Sequence, residues 1–254
     1  MKIGFISDIH EDVYSLQQAL RILSSENCDS VICLGDIVGF TLPFYRYIET
    51  RNAEECIRLI RENCSVVVAG NHDLYAVKKV PENKAGFPYG DDWYSQDYEV
   101  RAKKARNRIW LYEDNEIKST LSDSTKEYLS GLKETEFAQF ENVKLLFSHF
   151  CCPDFSGSAI YFPSQTFHLQ KHFEFMKEHD CTLSFSGHGH PEGVIFVDND
   201  NFKNLDFGTF DIHENLPWIS IPCVARTTRS NGVLVFDTTL NRISAIPLLG
   251  NSFQ

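Results

Sequence analysis

The chain has 254 residues, 43% of them hydrophobic, which is ample for a continuous core and excludes a disordered or fibrous class. Its formal net charge of -11 repels polyanions at long range and excludes a general binder of long nucleic acid. No apolar run approaches the ~20 residues that span a bilayer, so no membrane association is expected.

In chain order, residues 2–7 are a short apolar run suited to a buried strand. Residues 13–25 follow with helical spacing at Val13, Leu16, Leu20 and Leu23. Residues 31–34 are a second buried strand, 53–63 a helix with Ile57 and Ile60 on its inner face, and 66–69 a third strand rich in β-branched residues. This βαβαβ order predicts a parallel sheet with right-handed crossovers. From about 80 to 140 the rhythm breaks. Pro81, Gly86, Pro88 and Gly90 punctuate an aromatic stretch, and a basic helical segment carries Arg101, Lys103, Lys104, Arg106 and Arg108. This region is expected to be a cap-like insertion within one domain spanning 1–254. Beyond it come a strand at 143–147, a helix at 165–179 and a strand at 182–186. Further strands at 194–197, 203–207, 218–221, 232–237 and 243–246 are expected to build an antiparallel or mixed second sheet.

The first apolar run ends at once in Asp8 and His10, which leaves no expected secretory signal. The eight cysteines lack CxxC spacing, and Cys28, Cys33, Cys64 and Cys181 lie in or beside strands. Reduced core thiols in a cytoplasmic protein are the expectation.

Five polar clusters each follow an apolar strand within a residue or two: Asp8-Ile9-His10, Gly35-Asp36, Gly70-Asn71-His72-Asp73, Ser148-His149 and Gly187-His188-Gly189-His190. Ligands of open α/β sheets bind where the carboxyl ends of the strands meet, so the five converge on one site. Carboxylate, imidazole and amide oxygen suit divalent Mn, Fe, Zn or Ni, and there are enough ligands for two ions with one carboxylate bridging. A lone Asp-x-His at a strand end is ordinary turn chemistry. Five clusters holding five of the nine histidines are a metal centre.

The series resembles the calcineurin-like metallophosphoesterase superfamily from residue 8 to 190, and Gly35-Asp36-Ile37-Val38-Gly39-Phe40 looks closest to small YfcE-like phosphodiesterases. The resemblance implies a four-layer αββα sandwich of two mixed β-sheets flanked by helices. It implies one divalent ion on Asp8, His10, Asp36 and His190. A second would lie on Asp36, Asn71, His149 and His188, with Asp36 bridging. His72 would sit at the leaving group and Asp73 would orient His72. The protein phosphatases of the superfamily carry Asp-Arg-Gly where this chain has Val38-Gly39-Phe40, so that branch is not expected. Glu11-Asp12 replaces the usual Gly-Asn and adds negative charge near the site. For substrate phosphate the candidates are Arg226, with its neighbour Arg229, and Lys104 of the insertion.

Other features read more plainly. His168 and His172 are four apart, but with Phe167, Leu169, Phe173, Phe175 and Met176 they suit an ordinary amphipathic helix. Cys151-Cys152 lacks a neighbour that would activate a thiol. The aromatics Phe87, Tyr89, Trp93, Tyr94 and Tyr98 suit a small core within the insertion or a stacking surface for a nucleobase.

The resulting expectation is a binuclear phosphodiesterase or phosphomonoesterase that attacks a small or nucleotide-like phosphate ester with metal-bound hydroxide. A protein-binding scaffold on this fold would lack ligands that are all present here. A nuclease on short oligonucleotides is the other alternative. Substrate, native metal and oligomeric state are left open by the sequence.

Overall fold

The computed structural model describes residues 1–140, 143–197, 201–212 and 218–249. Its elements are β1 (Lys2–Ile6), α1 (Val13–Ser25), β2 (Ser30–Cys33), β3 (Phe40–Thr41), α2 (Ala53–Asn63), β4 (Val66–Val67), α3 (Asn71–Ala76), α4 (Tyr98–Ala105), β5 (Glu116–Ile117), α5 (Asp123–Gly131), β6 (Thr135–Phe140), β7 (Val143–Ser148), α6 (Gln170–Glu178), β8 (Leu183–Ser186), β9 (Val194–Val197), β10 (Phe202–Leu205), β11 (Gly208–Asp211), β12 (Trp218–Ser220), β13 (Gly232–Asp237) and β14 (Arg242–Pro247).

The first helices form as their sequences dictate. Asp12 caps α1 by accepting from Ser15 N, and Ser15, Leu16, Ala19 and Leu23 make its buried stripe. Asn52 caps α2 in the same way, with Ile57 and Ile60 inward as expected. Strand β1 pairs parallel with β2, and β2 with β4, so three of the polar clusters leave neighbouring strands in one direction.

Among the described residues the strands make two six-stranded sheets, ordered β11-β14-β13-β1-β2-β4 and β10-β9-β12-β8-β7-β6, plus the small β3-β5 pair. The period-2 alternation of the strands separates the layers. Ile3, Phe5, Leu145, Phe147, Phe185, Leu234 and Phe236 share the core between the sheets. Val233 and Val235 face the other way, into a core with Leu16, Leu23, Ile57 and Ile60 of α1 and α2. Leu146 turns outward to Met176 of α6. The order is therefore helix, sheet, sheet, helix. Phe5 stacks on Phe185 at 4.2 Å and meets Phe147 at 5.8 Å, tying the sheets together where β1, β7 and β8 approach. Each such ring contributes roughly 1.5–3 kcal/mol by leaving water.

Two expectations are corrected. The tail strands do not build a sheet of their own. β9, β10 and β12 extend the sheet of β7 and β8, whereas β11, β13 and β14 extend that of β1, with Lys2 opposite Asp237 and Phe5 opposite Leu234. The stretch from 80 to 140 is also not uniformly an insertion. α5, capped by Ser122, buries Leu129 in the core beside α2, and β6 pairs along its length with β7 as a sheet edge. Residues 80–111 do carry a separate small core of Phe87, Tyr89, Trp93, Ala105 and Ile109. No helix among the described residues is long and apolar enough to cross a membrane.

Candidate metal centre

Three of the five expected clusters leave their strands through a left-handed turn. Asp8, His10, Asp36, His188 and His190 all adopt positive φ, between 45° and 63°. Such left-handed backbone is disfavoured for residues with a Cβ, by about 1–3 kcal/mol each, and concentrates where function demands a side-chain direction. The turns are knitted together by backbone hydrogen bonds, Asp8 N to Gly35 O, Ile9 N to Asp36 O and Gly187 N to His149 O. Gly35 and Gly70 let two of the turns touch: a Cβ on Gly35 would lie 2.5 Å from Gly70 N, and one on Gly70 would strike the Asp36 carboxylate.

The side chains then meet over the strand ends. His190 Nε2 lies 3.0 Å from Asp8 Oδ1, and His149 Nε2 lies 3.1 Å from Asp36 Oδ2. His10 Nε2 is 3.9 Å from a carboxylate oxygen of each aspartate. His188 Nδ1 faces His149 Nε2 at 3.3 Å. Three overlapping groups could each hold an ion: Asp8, His10 and His190; His10, Asp36 and His72; Asp36, His149 and His188. Asp36 belongs to two of them.

Whether divalent ions fit is decided by the unsatisfied atoms. The buried Asp8 Oδ1 meets the His190 ring, and His10 Nε2, Asn71 Oδ1 and His188 Nε2 are buried without a hydrogen-bond partner. Such groups normally find one, because desolvating an unpaired polar atom costs about 1–3 kcal/mol. The opposite ring nitrogens are tied back: His10 Nδ1 to Gly39 O at 2.8 Å and His149 Nδ1 to Leu34 O at 2.7 Å. This is how a protein fixes ring orientation behind a ligating nitrogen. The donor set fits.

The electrostatics agree. Burial pushes the Asp8 and Asp36 carboxyls up, but the His190 and His149 rings beside Asp8, and the His149 and His72 rings beside Asp36, hold both well below the usual carboxylate range. Burial lowers the His149 ring, yet the two aspartates outweigh it and raise it to about 9. His10 falls to about 3 through burial and the nearby His72, and His188 to about 3 through burial. Two buried carboxylates thus demand positive charge, while two neutral imidazoles keep lone pairs.

The floor is buried: Asp8 and His149 are 0% exposed. The side chains of His190 and His72, 23% and 13% exposed, mark the open side. The seven expected ligands and His72 are therefore brought to one place. Asp73 does not orient the His72 ring. Its carboxylate accepts from Ile37 N, Val38 N and Gly70 N, and so anchors the turn carrying Asp36 to the start of α3. The partner of His72 is Glu116, with Oε2 2.5 Å from Nδ1. Likewise Tyr112 Oη accepts from Asn71 Nδ2 at 2.6 Å. Sequence reasoning missed both residues, because nothing in the irregular stretch aligns with the strand ends.

The acidic pair after His10 is compensated. Glu11 is buried and accepts from Arg51 Nη1 (3.1 Å) and Gly39 N (3.3 Å). Asp12 is gripped by Arg226 through Nε (2.8 Å) and Nη2 (2.9 Å). Arg226, expected to touch substrate, is thus a brace between the loop after β12 and the N-terminus of α1. Replacing Arg226 with Ala removes the guanidinium from the fully buried Asp12, which keeps Ser15 and the backbone N–H of residue 226. We expect a loss of about 2 kcal/mol, below the ~3–5 of a wholly buried pair because Arg226 keeps solvent contact. A thermal melt should fall by roughly 4–8 °C with KM unchanged; a raised KM at unaltered melting temperature would restore the substrate role.

Arg229 Nη1 lies 3.4 Å from His190 O, at the open side. Lys104 is exposed on α4 and donates to Gln96 Oε1, and among the described residues no contact joins it to the cluster. His172 is buried between Cys152 N and Ser184 Oγ, while His168 accepts from Ser164 N, so these two are not a ligand pair. Burial pushes both Cys151 and Cys152 thiols up, as inert thiols require.

The sequence pattern of the calcineurin-like phosphoesterases matches residues 1–192. An uncharacterised protein of Methanocaldococcus jannaschii is 24% identical over 208 residues, 78% of this chain and 71% of that protein. A metallophosphoesterase structure from Sphaerobacter thermophilus is similar with a TM-score of 0.63, at 18% identity, over 97% of this chain and 87% of its own. A hypothetical protein from Pyrococcus horikoshii reaches a TM-score of 0.60 at 14% identity, over 100% of this chain and 88% of its own. At these identities the two structures speak for a shared fold.

Proposed function

The chain belongs to the calcineurin-like phosphoesterase family and is a metal-dependent phosphoric ester hydrolase, and on that premise we propose that it cleaves a small or nucleotide-like phosphate ester at a two-ion centre. The observation carrying this reading is the set of unpartnered buried atoms on His10, Asn71 and His188, beside the ligand groups that share Asp36. Asp8, His10, Asp36 and His190 would hold one divalent ion and Asp36, Asn71, His149 and His188 the other, drawn from Mn, Fe, Zn or Ni. Such ions polarise a phosphoryl oxygen and acidify the attacking water.

The chain's own residues do the rest. Asp36 and Asp8 supply the buried negative charge that the ions offset. His72, at the open side with its backbone N–H on Asp36 Oδ1 at 2.9 Å, would meet the departing oxygen and give it a proton. Arg229 at the rim is the candidate contact for phosphate charge, in place of Arg226 and Lys104. Phe162 lies parallel to the His188 ring, 5.2 Å away with 8° between planes, and is half exposed. Its flat face suits a nucleobase or aryl group, which supports a nucleotide-like substrate. We read the whole chain as one catalytic domain, with the small core at residues 80–111 bordering the site.

The test is a panel of p-nitrophenyl phosphate, its bis-ester and nucleotide substrates, assayed with Mn, Ni, Zn, Fe and Mg separately after chelation. Chelation should abolish turnover and at least one transition ion should restore it. Hydrolysis that survives complete chelation would overturn the reading.

A further inference from the structure

One short segment of the irregular stretch reaches both Asn71 and His72. Glu116 accepts the His72 ring at Nδ1, 2.5 Å away, with only 2% of its side chain exposed. Four residues earlier, Tyr112 places its hydroxyl 2.6 Å from Asn71 Nδ2 and its ring 4.6 Å from the His72 ring. The two are coupled, since Glu116 N donates to Tyr112 O at 2.8 Å.

The segment is itself held rigidly. β5 pairs with β3 so that Glu116 lies opposite Thr41 and Ile117 opposite Phe40, and Leu42 N donates to Asn115 O. Arg51 donates from Nη1 to Ile117 O and from Nη2 to Lys118 O, both at 3.2 Å. Room for the arrangement comes from Gly39, where a Cβ would lie 2.5 Å from His72 Nδ1.

We propose that Tyr112 and Glu116 are positioning residues, through which residues 112–116 set the direction of the Asn71 amide and the orientation of the His72 ring. Tyr112 holds Nδ2, which fixes the amide with its buried Oδ1 left unpartnered. Glu116 accepts a hydrogen bond from Nδ1–H, which presents Nε2 to the open side; in the ring protonated at both nitrogens, Nε2–H is then the proton given up while Nδ1–H stays on Glu116. The chemistry of the strand ends is thereby completed by a segment outside them. The proposal rests on the reading of His72 as the group that meets the leaving oxygen, but its first test does not.

That test is histidine-selective proton–nitrogen NMR on the full zinc-loaded chain. The His72 Nδ1–H signal should sit far downfield, move upfield in Glu116→Gln, which keeps an acceptor but loses the charge, and vanish in Glu116→Leu. A signal indifferent to both variants overturns the proposal whatever the enzyme hydrolyses. In kinetics, Glu116→Leu should lower kcat about 10–100-fold for an alkyl ester, with KM and bound metal within about twofold. A p-nitrophenyl ester, whose leaving group needs no proton, should be affected far less. Equal loss on both esters would make Glu116 merely structural. Tyr112→Phe, which keeps the ring and removes the hydroxyl, should weaken binding of the more labile zinc ion about 10-fold in a chelator competition. Unchanged zinc affinity would remove Tyr112 from the proposal.

Discussion

Asp36→Asn should leave a folded chain that retains neither ion and turns over no measurable substrate. Asp36 is 1% exposed and shared by two of the three ligand groups. A neutral amide presents one weak oxygen where the carboxylate presents two charged ones, so the bridge fails for both ions at once. Metal ions supply several kcal/mol of transition-state charge stabilisation, and at 1.36 kcal/mol per decade their loss amounts to about 10³-fold or more in kcat/KM. The backbone need not collapse, because Asn Oδ1 can still accept from His72 N. Metal analysis by plasma mass spectrometry should read near zero per chain, with circular dichroism unchanged. Full activity with one ion per chain would defeat the bridging role.

His72→Ala separates chemistry from binding. The ring is tied to Glu116 at Nδ1, and its backbone N–H serves Asp36 and survives the substitution. Ion binding through Asp36, His149 and His188 should therefore persist, while a proton donor is lost from the open side. Loss of a positioned general acid lowers kcat by about 10²–10⁴. The deficit should shrink as the pKa of the leaving group falls, because a good leaving group departs unprotonated. Metal released along with activity would reassign His72 as a ligand, a role its place beside His10 and Asp36 also permits.

The seven proposed ligands were legible because each obeys a local rule. An apolar strand runs out, the chain turns, and a carboxylate, amide or imidazole follows at once. α1 and α2 were equally legible, their buried stripes matching the 3.6-residue period within the expected bounds. α5 and β6 were missed inside the irregular stretch, although Ser122 capping and the Phe137–Phe140 run could have announced them.

The sequence alone thus determined which residues gather at the strand ends, because strand ends and glycine turns are properties of a few consecutive residues. The tertiary structure decided the rest. The tail strands alternate in a way that suits either sheet, and only pairing of β13 with β1 sends β11, β13 and β14 to one sheet and β12 to the other. Arg226 reads as a loose cation until Asp12, 214 positions away, closes on it. Asp73 adjoins His72 in the chain yet turns to backbone amides across the turn, while Glu116, 44 positions on, takes the ring. Spacing reports neighbours along one strand or helix. Which charge a buried side chain meets is set by loops that fold back over the sheet edge, and their register is fixed only when the cores beneath them pack.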